Sequence, residues 1–210
     1  MIIVKNKETA RRGRGRPRAF DRETVLEKAA ETFWRLGYEG ASIADLTAAM
    51  GITPQSLYAA FASKADLYRE ALAWYLTHVL AAPVRALEDA DIGAALTGML
   101  RGSAREFTQA GRPHGCMVST AVLTCASENE PVARHVSGLR NGMIDALKAR
   151  IERGVAEGQL EPATDAAALA RFVGAMIQGM SVQAQDGASE SELLAIADHA
   201  AGEISRYRVR

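Results

Sequence analysis

Apolar residues in this 210-residue chain recur at intervals of three and four positions, and that period constrains the fold more than any other feature. The recurring stretches are built from Ala, Leu, Glu and Arg, which favour helices, while β-branched residues rarely alternate with polar ones. The expected class is all-α. Hydrophobic residues make up 48% and charged residues 24% of the chain, a balance that excludes a disordered polyelectrolyte.

Punctuation divides the helices. Residues 1–19 lack periodicity and hold Gly13, Gly15 and Pro17, which predicts an unstructured arm. Asp21 is placed as an N-cap, followed by Val25, Leu26, Ala29, Ala30, Phe33 and Leu36 on one apolar face, so a helix is expected over 21–36, before Gly37. Ser42 and Asp45 form a capping pattern that opens a short helix to Met50, with Ile43, Leu46, Ala49 and Met50 facing inward. Thr53 then caps a second short helix, with Pro54 at its first position, running to Phe61. Ser63 and Asp66 repeat the capping pattern and launch a long helix through Leu80, stopped by Pro83. Further amphipathic segments are expected at 85–110, 115–127, 130–157, 164–185 and 189–207.

The net charge is zero, but it is unevenly spread. Lys5, Lys7, Arg11, Arg12, Arg14, Arg16 and Arg18 face only Glu8 in the first twenty residues, a net of +6 that leaves residues 21–210 at −6. A basic arm ahead of an acidic body is the pattern of a chain whose one end meets phosphates.

The segment from Ser42 to Phe61, SIADLTAAMGITPQSLYAAF, reads as a helix-turn-helix, with Gly51 supplying the positive φ of the tight turn. Continued by Ala62, Ser63, Lys64, Ala65, Asp66 and Leu67, it resembles the DNA-binding domain of the TetR family over about residues 20–67. The resemblance implies that the helix opening at Thr53 and Pro54 is the recognition helix. Tyr58 and Lys64 are then placed at the phosphates, Thr53, Pro54, Gln55, Ser56 and Ala59 at or near base edges, and Ser42 among the DNA-binding residues. Ala59 and Ala60 depart from the family, which often has larger polar or aromatic residues there. The expected domains are a basic arm at 1–19, a DNA-binding domain at 20–66 and a helical ligand-binding and dimerisation domain at 67–210.

Within the arm, Gly13 to Arg18 resembles the core of an AT-hook, in which Arg14, Arg16 and Arg18 would enter a narrow minor groove. A nonspecific electrostatic arm is the alternative. At the other end, Phe172, Met176, Ile177, Met180, Leu193, Ala197, Ala200 and Ile204 form apolar stripes. The resemblance implies that these two helices pair with a second copy as a four-helix interface. It also implies an effector pocket among Trp74, His78, Met99, Phe107, Met117, Met143 and Met176, although core packing accounts equally well for each.

Cys116 follows Gly115 at the expected start of the 115–127 helix, where the helix dipole would lower a thiol pKa, so an electrophile or redox sensor is a second reading. Cys125 lies two and a half turns further along that helix, too far to bridge. With two cysteines, no signal-peptide pattern and no membrane-length apolar run, a cytoplasmic protein is expected. Hydrolase and metalloprotease motifs are missing, and no enzyme activity, cofactor or metal is expected. The expected partners are double-stranded DNA with a near-palindromic operator, a small-molecule effector, and a second copy of the chain, with no membrane. A ligand-independent architectural DNA-binding protein is the other function class left open.

Overall fold

The computed structural model describes residues 21–209, so the arm expected at 1–19, with Arg14, Arg16 and Arg18, lies outside the described residues. The described chain folds into helices α1 (Arg22–Gly40), α2 (Ile43–Met50), α3 (Pro54–Ala60), α4 (Lys64–His78), α5 (Ala81–Arg85), α6 (Ile92–Phe107), α7 (Glu130–Ala156), α8 (Ala166–Gln185) and α9 (Glu190–Ser205). An isolated antiparallel bridge joins Leu160 to Arg208 near the C-terminus, beside an ion pair of Arg208 with Asp91. The chain is all-α.

Side-chain caps fix most helix starts. Asp21, Ser42, Thr53, Ser63, Asp91, Asp165 and Ser189 each accept a hydrogen bond from a backbone amide in the following first turn. The expected boundaries shift where local chemistry was hidden. Helix α1 resumes beyond Gly37, whose φ of 73° interrupts it, and reaches Gly40; Leu36 is exposed rather than part of the apolar face. Helix α4 ends at His78, and Pro83 is the third residue of α5, a first-turn position where no amide hydrogen bond is lost. Ala49 is exposed, so α2 packs through Leu46, Thr47 and Met50 instead.

The largest departure is the segment expected as a helix over 115–127. It is a loop. Cys116, Met117 and Val118 are consecutive and all buried, which a helix with one inward face cannot achieve. Gly115 anchors the loop at φ 77°, its amide donating to the Phe107 carbonyl, and a Cβ there would come within 2.6 Å of the Ser181 carbonyl oxygen. Cys116 therefore has no helix dipole behind it. Its amide donates to Ser181 Oγ at 2.8 Å and its sulfur accepts from the Val118 amide.

Helix α6 is the centre of the larger body, packed against α5, α8 and α9, and it buries Ile92, Ala95, Leu96, Met99, Leu100, Ala104 and Phe107. That packing corrects the expected self-association stripe. Met180, Leu193, Ala197, Ala200 and Ile204 lie in the chain's own core, because the most apolar face of each helix turns inward first. Phe172, Met176 and Ile177 are half-buried. The outward stripe of α8 comprises Ala168, Phe172, Ala175, Gly179 and Val182, spaced by three and four residues.

This assignment predicts that Met180→Ala lowers stability by about 2–5 kcal/mol through cavity formation. Val182→Ala should change the monomer's stability by no more than about 0.5 kcal/mol. Urea unfolding of the two variants reads the difference.

Candidate nucleic-acid interface

Helices α2 and α3 owe their geometry to the turn between them. Ser42 and Asp45 form a complete capping box, Gly51 adopts φ 65° and ψ 28°, and its amide donates back to the last turn of α2. The Ile52 amide donates to the Thr47 carbonyl, closing the turn. Thr53 then caps α3 by accepting from the Ser56 amide at 3.1 Å, and the two hydroxyls lie 3.0 Å apart.

Two faces of α3 separate cleanly. Leu57 is fully buried and Phe61, just past the helix end, nearly so, while Thr53, Pro54, Gln55, Tyr58 and Ala59 are exposed and Ser56 is half-buried. Pro54, Gln55, Tyr58 and Ala59 share the outward face by helical spacing. Tyr58, at 52% exposure, is an aromatic side chain held in water by its position opposite Leu57. From Leu46 to Ser63 no side chain carries a charge. The exposed surface of α3 is therefore neutral and rich in hydrogen-bonding groups, the chemistry that reads base edges rather than the chemistry that grips phosphates.

Lys64 opens α4 with its ammonium 4.7 Å from the centre of the Tyr38 ring. Burial pushes it below the ordinary lysine range, partly offset by Glu39. Arg22 lies over the Phe61 ring at 4.6 Å and pairs with Glu70 of α4. These contacts, with the Phe33–Tyr68 edge-to-face pair, lock α1 across both the helix-turn-helix and α4.

A short helix-turn-helix whose second helix presents a neutral polar face has a specific counterpart among known proteins. Residues 25–71 match the family model of bacterial regulatory proteins of the TetR family, and residues 93–197 match that of the tetracyclin repressor-like C-terminal domain. The HTH-type transcriptional repressor ComR of Escherichia coli K12 is 33% identical over 192 residues, covering 90% of this chain and 91% of that protein. BdcR of the same organism, also an HTH-type transcriptional repressor, is 30% identical over 184 residues, 87% of this chain and 88% of its own length. A cysteine-substituted form of the TetR-family regulator CifR, complexed with 26-bp operator DNA, superposes with a TM-score of 0.86 at 42% identity, covering 89% of this chain and 98% of that one. This chain belongs to the TetR family of transcriptional regulators.

In this TetR-family regulator the larger body holds an apolar cavity of about 70 Å³ between α4, α5, α6, α7, α8 and the loop of residues 108–126. Of the residues expected at a pocket, Met99, Phe107 and Met143 line it. Trp74 and His78 do not: they stack on each other along α4 with ring centres 4.7 Å apart, and His78 reaches Glu23 of α1. Met117 lines a separate surface groove of about 570 Å³ between the loop and α1, and Met176 lines neither space. Sequence reasoning missed Arg140, Ser103 and Gln178, which supply the polar part of the cavity wall. An Arg on a long amphipathic helix looks like a solvated cation, so the sequence held no signal for Arg140.

The loop touches the DNA-binding end as well. The Glu39 carboxylate of α1 accepts from Asn129 Nδ2 at 2.8 Å and from the Ala126 amide at 3.0 Å. Those bonds hold its carboxyl below the ordinary glutamate range, so the interaction is present at neutral pH and disappears only as pH falls through that lowered value. Val122, in the same loop, adopts φ 49°, a strained value for a β-branched residue.

The split between the two faces of α3 makes a direct prediction. Leu57→Ala should cost about 2–5 kcal/mol of stability, and the neighbouring Tyr58→Ala no more than about 0.5 kcal/mol. Thermal or urea unfolding of both variants checks it; equal losses would contradict the orientation of α3.

Proposed function

We propose that this TetR-family regulator is a homodimeric repressor that binds a near-palindromic operator and releases it when a small molecule occupies the body. The observation that carries the reading is the neutral, exposed, hydrogen-bonding face of α3, opposite a fully buried Leu57. Thr53, Pro54, Gln55, Ser56 and Ala59 are the base-proximal residues, while Ser42 at the start of α2, Tyr58 on α3 and Lys64 at the start of α4 address phosphates. Since Leu46 to Ser63 carries no charge, the electrostatic share of binding falls to Lys64 and to the +6 arm with Arg14, Arg16 and Arg18. The similar CifR complex contains operator DNA, which supports the same mode here.

Residues 20–66 are the DNA-binding unit and residues 67–210 the sensing and dimerising unit. The outward stripe of α8 around Phe172, Ala175, Gly179 and Val182 is the surface that meets the second copy, its small residues allowing close helix approach. Two-fold symmetry brings two α3 helices to half-sites about one DNA turn apart. The protein works in the cytoplasm and without catalysis. Two free cysteines support that location, and among the described residues no helix is long and apolar enough to cross a membrane.

Effector coupling runs through the 108–126 loop, which borders the cavity on one side and holds Glu39 near its end. A ligand that moves the loop biases α1, and with it α3, between two arrangements. A thiol-sensing reading through Cys116 has no such support, since that residue is buried in a loop and not at a helix N-terminus.

Tyr58→Ala or Lys64→Ala should each weaken binding to an operator duplex by about tenfold or more; Tyr58→Ala should leave the melting temperature nearly unchanged, while Lys64→Ala should also lower it slightly through loss of the Tyr38 contact. Fluorescence anisotropy titration reads this, and unchanged affinity for both would sink the assignment of α3. Removing residues 1–18 should flatten the dependence of log affinity on log salt by several units, at about 0.9 for each phosphate no longer neutralised. An identical slope would take the arm off the DNA.

A further inference from the structure

The cavity differs from an ordinary packing defect in one respect: an arginine faces it without an acid. Arg140 lines the wall among Leu76, Leu80, Val84, Met143 and Ile177. Its Nη1 donates to the carbonyl oxygens of Val118 and Ala121, at 3.1 and 2.9 Å. Those two bonds occupy one corner of the guanidinium. Nε and Nη2 have no hydrogen-bond partner among the described residues, and Arg140 forms no ion pair with any described Asp or Glu, although Arg22, Arg69, Arg101 and Arg112 all do. Burial disfavours its charge.

Nε and Nη2 form the side-on edge of a guanidinium, whose two parallel N–H groups match the two oxygens of a carboxylate. A half-buried cation among apolar neighbours, with that edge unpaired by protein, is open to an anion. We propose that the effector is a small aliphatic monocarboxylic acid, its carboxylate on the Nε–Nη2 edge of Arg140 and its hydrocarbon tail in the cavity. This rests on the reading of the body as an effector-sensing unit.

Cavity size sets the tail. A 150 Å³ apolar cavity admits benzene, at roughly 25 Å³ per carbon, so about 70 Å³ holds a tail of about three carbons before any side chain moves. Met99 and Met143 can re-pack to admit one or two more. The same geometry says how binding is sensed. A carboxylate on Arg140 competes electrostatically with the Val118 and Ala121 carbonyls for the guanidinium, which loosens the loop whose far end holds Glu39 of α1.

The test is isothermal titration of the full chain with butanoate, pentanoate and hexanoate, and with the primary amide of each acid. The amides match the acids in size and polarity but lack the charge. The acids should bind at least about tenfold tighter than their amides. Arg140→Gln should abolish that preference and, because it also removes both bonds to the loop carbonyls, should weaken operator binding as an effector does, and Arg140→Lys should restore part of the preference. Equal binding of acids and amides, or tighter binding of the amides, overturns the carboxylate assignment and leaves the effector cavity standing. If neither series binds and neither alters operator affinity, the carboxylate assignment falls, and saturation of the cavity by other apolar compounds then decides whether the sensing role falls with it. Acid preference that survives in Arg140→Gln places the anion elsewhere and also overturns the proposal.

Discussion

Helix α3 has seven residues, too few to be stable alone, so everything the DNA-binding end does depends on the burial of Leu57 and Phe61 in the core. Those two side chains set the rotation of α3 and thereby decide which residues meet solvent. Tyr58, Gln55 and Ala59 are exposed because Leu57 is not. The same α1 carries Phe33, Trp34 and Tyr38 into aromatic contacts with Tyr68 and Tyr75 of α4, so one helix is shared by the reading head and the body. A displacement of α1 relative to α4 cannot leave α3 in place. In the function proposed above, that sharing is the route from the body to α3.

Charge is partitioned as sharply as apolarity. The helix-turn-helix is neutral from Leu46 to Ser63, the first twenty residues hold a net of +6, and the rest of the chain is acidic. In the binding mode proposed above, affinity and specificity fall to different segments: phosphate attraction, which is sequence-blind and salt-sensitive, to the arm and Lys64, and base reading to uncharged groups on α3. An acidic body also discourages that end of the chain from settling on DNA.

Where the sequence speaks through local chemistry it is legible. Ser42, Thr53 and Ser63 announce their helices because a hydroxyl three residues before an amide can do little else, and Gly51 marks its turn because few other residues tolerate φ 65°. Where the outcome depends on which of two apolar faces wins the core, periodicity cannot choose. Met180, Leu193 and Ile204 have the spacing of a partner surface and are consumed by the core around α6, while Ala175 and Gly179, too small to stand out, lie outward. The 115–127 segment misleads for a related reason: Cys116 to Val118 is apolar enough for a helix, but Gly115 and the Ser181 hydroxyl draw it into a loop. Arg140 is invisible for want of any local signal, since only the tertiary fold withholds an acid from it.

If α3 reads DNA sequence as one of a symmetric pair, selection of binding sites by the full chain from a random duplex pool should reveal it. The expected product is an inverted repeat whose half-site centres lie about one helical turn apart, bound with an affinity well above that for random duplex at the same salt. Recovery of no common motif, with binding that is weak and wholly salt-driven, would contradict it and leave the arm as the sole DNA-binding element.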